Sequence, residues 1–216
     1  MNTIPACIWI TGGGSGVGAA LARRLAQSGE QVVISGRRAE DLSEVAAGQA
    51  GIQAFPMDIA DSSAVRNGVQ RIERDIAPIS LAVLTSALGS PAPLSTFERD
   101  RLRSQTDAGV GGALNCLGAL MPVLRHRGHG HVAILPPAGK GQSGPLANLV
   151  RSLSHDLAGS GVTIQVIYPD LVQGAADEQS DDRAADAILR DLRSDRVTVG
   201  EGGGFWTFLK GLLPNS

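Results

Sequence analysis

The chain is too poor in cysteine for a disulfide framework or a cysteine-based metal site. Its 216 residues include only Cys7 and Cys116, which fall in a predicted strand and a predicted helix among apolar neighbours. They read as core residues of a protein kept in a reducing compartment. Charge of one sign is also missing: 19 Lys and Arg against 21 Asp and Glu leave a formal net charge of -2, which offers no electrostatic attraction for nucleic acid or an anionic membrane. A small molecule or another protein is the expected partner. No apolar run approaches the roughly 20 residues that cross a bilayer. The N-terminus enters a strand without a basic region or cleavage site, so a cytoplasmic location is expected. Repeats, low-complexity tracts and Pro/Ser-rich linkers are absent as well. The length suits one well-cored domain, and the chain is read as a single unit over 1–216.

What the sequence does contain is an alternation of short β-rich runs with longer segments of helical period. Strands are predicted at 6–11, 31–35, 51–56, 80–84, 131–135, 163–167 and 196–199. Helices are predicted at 17–28, 39–47, 63–76, 96–127, 146–158 and 182–193, with Ser95 and Glu98 forming a capping box for the longest. This rhythm implies an α/β fold, a doubly wound seven-stranded parallel sheet with helices on both faces. The apolar tail 205–213 reads as a last short helix packed on the sheet or on a partner subunit.

The first strand ends in Thr11-Gly12-Gly13-Gly14-Ser15-Gly16-Val17-Gly18 and runs directly into a helical segment. Glycines let the backbone turn tightly and approach a pyrophosphate, while the free N–H groups and positive dipole end of the helix face the anion. A glycine-rich surface turn is the plain alternative, disfavoured because strand, loop and helix all fall where a dinucleotide fingerprint needs them. With its extra residue between the glycines, this loop resembles the Thr-Gly-x-x-x-Gly-x-Gly signature of the short-chain dehydrogenase/reductase family. The resemblance implies a Rossmann-type NAD(P)-binding domain, with Gly12, Gly14, Ser15, Gly16, Val17 and Gly18 around the phosphates. After the second strand stands Ser35-Gly36-Arg37-Arg38. NAD-using relatives tend to carry an acid at the position of Gly36, so its absence, with Arg37 able to grip a 2'-phosphate and Arg38 beside it, favours NADP over NAD. Solvated helix-start arginines are the alternative. Asp58 in Met57-Asp58-Ile59 matches the family's contact to adenine, with Ile59 next to it, and a simple helix-approach turn is the other reading. Ser86 and Ala87 stand where the family's Asn-Asn-Ala-Gly stretch lines the cofactor.

The resemblance fails at the chemistry. The family's serine position falls on Pro137, its tyrosine on Gly139, its lysine on Ser143 and its helix asparagine on Gly109. The only tyrosine in the chain is Tyr168. Lys140 lacks a tyrosine four residues earlier, where Pro136 stands. The usual Pro-Gly is Pro169-Asp170, the usual carboxamide-binding threonine aligns with Gly174, and Leu88 ends the altered Asn-Asn-Ala-Gly stretch. The glycine run around Gly109, Gly111 and Gly112 costs a helix about 1 kcal/mol per interior glycine, so it implies close backbone packing, with Gly111 as its test position, or a broken helix. His126, His129 and His131 are read as a solvated polar turn rather than a metal site. A Ser154 and His155 hydrolase pair lacks a nucleophile elbow.

Three functional expectations follow. The first is a nucleotide-binding, catalytically degenerate family member. It would act as a binding subunit, as a homodimer through helices 96–127 and 146–158 as the resemblance implies, or in assembly with an active relative. The second is an active NADP-dependent carbonyl or alcohol oxidoreductase using Ser86, Ser143 or Lys140. The third is a purely structural subunit that binds no nucleotide.

Overall fold

In the computed structural model the described residues are 6–85, 107–135, 145–168, 178–192 and 198–199. Strands β1 (Cys7–Thr11), β2 (Val32–Ser35), β3 (Ile52–Ala54), β4 (Ile79–Leu84), β5 (Gly130–Ile134) and β6 (Val162–Val166) form a parallel sheet in the order β3-β2-β1-β4-β5-β6. The expected seventh parallel strand is corrected. Thr198–Val199, β7, is a two-residue segment that pairs antiparallel with Ile164 and Gln165 of β6. A pairing this short adds an edge to the sheet without extending its parallel ladder.

Among the described residues six helices connect or follow these strands: α1 (Gly16–Gln27), α2 (Ala39–Ala46), α3 (Ser62–Asp75), α4 (Gly112–Arg127), α5 (Pro145–Asp156) and α6 (Glu178–Leu192). Because a covered parallel sheet is buried on both faces, its strands lose the polar alternation of a half-exposed sheet. Every residue of β1 and β4 is buried. Successive side chains nevertheless go to opposite faces. Trp9, Val33, Leu84 and Ile164 pack with Ile72, Cys116, Leu120 and Leu157 on the side of α3, α4 and α5. Ile8, Ile10, Ile34 and Val83 pack with Leu21, Leu25, Leu42 and Ile188 on the side of α1, α2 and α6. Trp9 lies in a central strand with no exposed surface, and its indole N–H donates to the Ser35 hydroxyl at 3.0 Å. That bond removes the cost of an unpaired polar atom in the core. Both cysteines are free and buried, and desolvation pushes their thiols up to about 12, the inert behaviour of core thiols.

The strand-start end of the sheet is tied by one clamp. Arg127 donates to Glu73 Oε1 at 2.7 Å and to the Ile79 carbonyl at 3.1 Å, while Glu73 Oε1 also accepts the Ile79 N–H at 2.8 Å. Three bonds thus join the ends of α3 and α4 to the start of β4.

The glycine run resolves into two parts. Asp107–Gly111 is a π-helical turn, and a regular helix starts at Gly112. Its outline differs from the single helix expected over 96–127, of which 96–106 lies outside the described residues, as do Ser95, Glu98 and the tail 205–213. Close packing is also shifted by one residue from the position expected. A Cβ on Gly111 would meet nothing within 4 Å, whereas one on Gly112 would come within 2.5 Å of Ile59 Cδ1. One turn on, the Asn115 side-chain amide donates to the carbonyls of Ile59 at 2.9 Å and Ala60 at 3.1 Å. The turn after β3 is therefore docked on α4. Gly112→Ala should cost about 1 to 3 kcal/mol in urea denaturation through overpacking. Gly111→Ala should be neutral or stabilising by up to about 1 kcal/mol, and the reverse order of the two variants would refute the packing assignment.

Candidate nucleotide site

Strand order reverses around β1, which has β2 on one side and β4 on the other. In open α/β sheets the crevice beyond the strand ends at such a switch point is where ligands bind. Here the crevice is bounded by the turn from β1 into α1, the turn from β2 into α2 and the end of β4.

The first turn is held in place from three directions. Gly12 has φ +65° and Gly16 φ +58°, in the left-handed region that favours glycine. A Cβ on Gly18 would collide with the Gly12 carbonyl oxygen, so the start of α1 lies directly on the loop. Gly13, which the sequence reading left out of the site, is buried; a Cβ there would stand 2.6 Å from the Cβ of Ile34 in β2. Its N–H donates to the Ser35 carbonyl at 3.1 Å. Thr85 is another residue the sequence reading did not single out for binding. Its N–H donates to Thr11 Oγ1 at 3.1 Å and its hydroxyl to the Thr11 carbonyl, which pins the end of β4 to the loop. Only its position immediately after an apolar strand could have drawn attention to it.

Ser15 is the N-cap of α1 with extended backbone, but its side chain makes no cap hydrogen bond, and the first turn contains no acid. Ser15 and Gly16 are exposed and Val17 is half-buried. A helix start with N–H groups uncapped by any side chain is an anion pole. Gly14 faces α2, where a Cβ would lie 3.1 Å from that of Asp41.

The second turn separates the two arginines. Both are exposed, but Arg38 is ion-paired with Asp41 one turn into α2, whereas no carboxylate among the described residues pairs with Arg37. Arg37 is thus the guanidinium available for a ligand. Gly36 has no left-handed φ, and a Cβ there would meet only Leu42, at 3.6 Å. Backbone geometry does not require glycine at the position where an acidic side chain would select the other cofactor.

Asp58 is exposed, and its carboxylate accepts the Ala60 N–H at 3.0 Å, a local turn bond. Ile59 is committed to packing under α4. Asp61 caps α3 by accepting the N–H groups of Ser63 and Ala64, and these bonds hold its carboxyl below the usual carboxylate range. The Met57 N–H donates to the Gly36 carbonyl at 3.0 Å, which joins the Asp58 turn to the arginine turn. Of the candidates, Gly12 to Gly18, Arg37, Arg38, Asp58 and Ile59 are therefore brought to one end of the sheet. Ser86, Ala87, Leu88, Pro136, Pro137, Gly139, Lys140, Ser143, Pro169, Asp170 and Gly174 lie outside the described residues. Gly109 stands inside the π-helical turn. Tyr168 follows β6, half-buried against the core on the α3, α4 and α5 side. Burial raises its phenol and nearby Arg151 partly offsets that rise.

The histidine expectation is corrected in part. His126 and His129 are exposed, but His131 stands in β5 with 2% of its surface accessible, its Nδ1 paired with the Thr163 hydroxyl. The alternation of β5 sends it inward. Among the described residues no group of three or more His, Cys, Asp or Glu is placed to hold a metal, and no helix is long and apolar enough to cross a membrane. Ser154 donates its hydroxyl to the Val150 carbonyl of its own helix at 2.7 Å, while His155 is exposed.

The family model described as short chain dehydrogenase matches residues 6–140, more than half of the chain. A sulfoacetaldehyde reductase of Chromohalobacter salexigens is 30% identical over 208 residues, covering 85% of this chain and 80% of that protein. A gluconate 5-dehydrogenase of Gluconobacter oxydans is 28% identical over 211 residues, covering 90% and 80%. Among solved structures, a short-chain dehydrogenase from Streptomyces avermitilis superposes with a TM-score of 0.72 at 22% identity over 95% of this chain and 92% of that one. A metagenomic short-chain oxidoreductase crystallised with NADP superposes with a TM-score of 0.66 at 21% identity, over 88% and 92%.

Burial of His131 also makes a pH prediction. Desolvation lowers its imidazole from 6.5 to about 3, so the folded chain keeps it neutral while the unfolded chain protonates it below about 6.5. Its contribution to stability is fully present above pH 6.5 and is lost as pH falls towards 3. In urea titrations stability should fall across that window by up to about 1.4 kcal/mol per pH unit from this one group. His131→Gln should flatten that slope, and an unchanged slope would refute the assignment.

Proposed function

Because the chain belongs to the short-chain dehydrogenase family, whose members bind nicotinamide cofactors, we propose that it binds NADP(H) through the adenosine side of its crevice and lacks the family's usual proton relay. The observation that carries this reading is the uncapped start of α1 over the glycine turn, with the guanidinium of Arg37, which no carboxylate among the described residues pairs, at the neighbouring strand end. Residues from Gly12 to Val17 would hold the pyrophosphate, and Gly18 would keep the helix close behind them. Arg37 would meet the 2'-phosphate with two parallel N–H donors. Arg38 serves mainly to fix α2 through Asp41. Asp58, with one oxygen already accepting from Ala60, keeps its remaining acceptor capacity for an adenine amino group.

A bound nicotinamide supplies or accepts a hydride. The matching proton must come from the protein or solvent, and the sequence positions for the usual tyrosine and lysine hold Gly139 and Ser143. The whole chain has one tyrosine, Tyr168, and two lysines, Lys140 and Lys210. On this reading the chain is a single binding unit over 1–216, cytoplasmic in keeping with its two free buried thiols. It assembles through α4 and α5 with a second copy or with an active relative. Support for that face comes from α4 and the turn before it, where Leu114 and Val110 are 45% and 36% exposed, an apolar exposure of the kind interfaces cover.

One observation favours a second reading, an active NADP-dependent carbonyl or alcohol oxidoreductase. Tyr168 stands beyond the carboxyl end of β6, the same edge of the sheet as the glycine turn, with the Arg151 cation near its phenol. Relatives named as a reductase and a dehydrogenase agree with an enzyme of some kind.

The two readings separate in a thermal-shift titration paired with a turnover assay. Saturation at 100 times the dissociation constant adds about 2.7 kcal/mol, a rise of roughly 5 to 11 °C for a domain of this size. NADP should give that rise at lower concentration than NAD, 2',5'-ADP should share the preference, and Arg37→Ala should erase it. No steady NADPH oxidation should be seen with carbonyl substrates. Steady oxidation lost in Gly16→Trp and strongly reduced in Tyr168→Phe would replace the first reading with the second. No stabilisation by millimolar nucleotide would leave only the structural-subunit reading.

A further inference from the structure

Helix α6 brings a carboxylate to the phosphate turn. A Cβ built on Gly16 would lie 3.8 Å from Asp181 Oδ2 and 3.9 Å from Oδ1. Asp181 is in the first turn of α6, which packs along α1. The approach is held by a clamp about two turns into α1: Arg24 faces Asp182 at 3.5 Å and Asp186 at 3.4 Å. The start of α1 has no acid of its own in the first turn and no side-chain cap. The negative charge at its positive pole is therefore supplied by another helix. A carboxylate in that position stabilises the pole in the ligand-free chain. The same carboxylate repels the pyrophosphate that the pole would otherwise attract.

Resting on the nucleotide-binding reading above, we infer that Asp181 is the residue that sets the affinity of the phosphate turn, an internal anion with which a dinucleotide pyrophosphate must compete. The phosphate turn is thus coupled to α6, so whatever moves the Arg24 clamp changes nucleotide affinity. Asp186, held by the same arginine one turn farther along α6, shares the charge but not the approach to Gly16, and it serves as the control.

The experiment is isothermal titration of NADP into the full-length wild type, Asp181→Asn and Asp186→Asn at low and high salt, with the melting temperature of each ligand-free chain. Asp181→Asn should bind NADP roughly three- to tenfold more tightly at low salt, with the gain shrinking as salt screens the repulsion. Its ligand-free form should melt about 1 to 3 °C lower, because α1 has lost its counter-charge. Asp186→Asn should bind within about twofold of wild type, the size expected of a charge beyond the first contact. If wild type binds NADP and Asp181→Asn binds no more tightly, the inference is overturned while the nucleotide reading stands. If neither chain binds at millimolar NADP, that reading falls and this inference with it.

Discussion

Gly18 lies so close to the carbonyl oxygen of Gly12 that no side chain fits between them, and this contact seats the first turn of α1 on the end of β1. Every other feature of the crevice is placed relative to it. Gly12 and Gly16 adopt left-handed backbone so that the loop can double back within a few residues. Thr85 binds Thr11 so that β4 ends beside the loop, and Gly13 lies flat on Ile34 so that β2 ends on the other side. The anion pole of α1 and the guanidinium of Arg37 then share one edge of the sheet. Chemistry at this edge is a consequence of a steric demand met four times by glycine.

Much of this was legible in the sequence because it is local. Strand and helix periods placed the six parallel strands and five of the six helices within a few residues of their bounds, the helix expected over 96–127 being the exception, and the glycine spacing located the phosphate turn. Features that depend on distant residues were not legible. Nothing in the local pattern says that Arg38 is taken up by Asp41 while Arg37 pairs with no carboxylate among the described residues. The inward turn of His131 follows from strand alternation and could have been read, but the three neighbouring histidines suggested a shared polar turn. The one-residue shift of close packing from Gly111 to Gly112 arises from Ile59, more than 50 positions away in the chain. The parallel rhythm of the strands was read one strand too far, since β7 is a two-residue antiparallel edge.

Fold and chemistry separate along a physical line. The proposed adenosine side relies on backbone geometry, a helix pole and one arginine, all of them among the described residues. Hydride chemistry relies on specific proton-handling side chains, and the proposed reading assigns Gly139 and Ser143 to the positions where the family has tyrosine and lysine. A binding role needs only the first set. The approach of α6 to the same turn adds a control that other residues of the site do not provide, since it couples affinity to how one helix packs on another.

The most direct measurement is a backbone amide NMR titration with NADP. Resonances of Ser15, Gly16 and Val17 should move together with that of Arg37, while those of Gly128 and Gly159, at the opposite end of the sheet, stay fixed. Stationary resonances at the α1 start, with changes concentrated elsewhere, would contradict a nucleotide phosphate site built on the contact between Gly12 and Gly18.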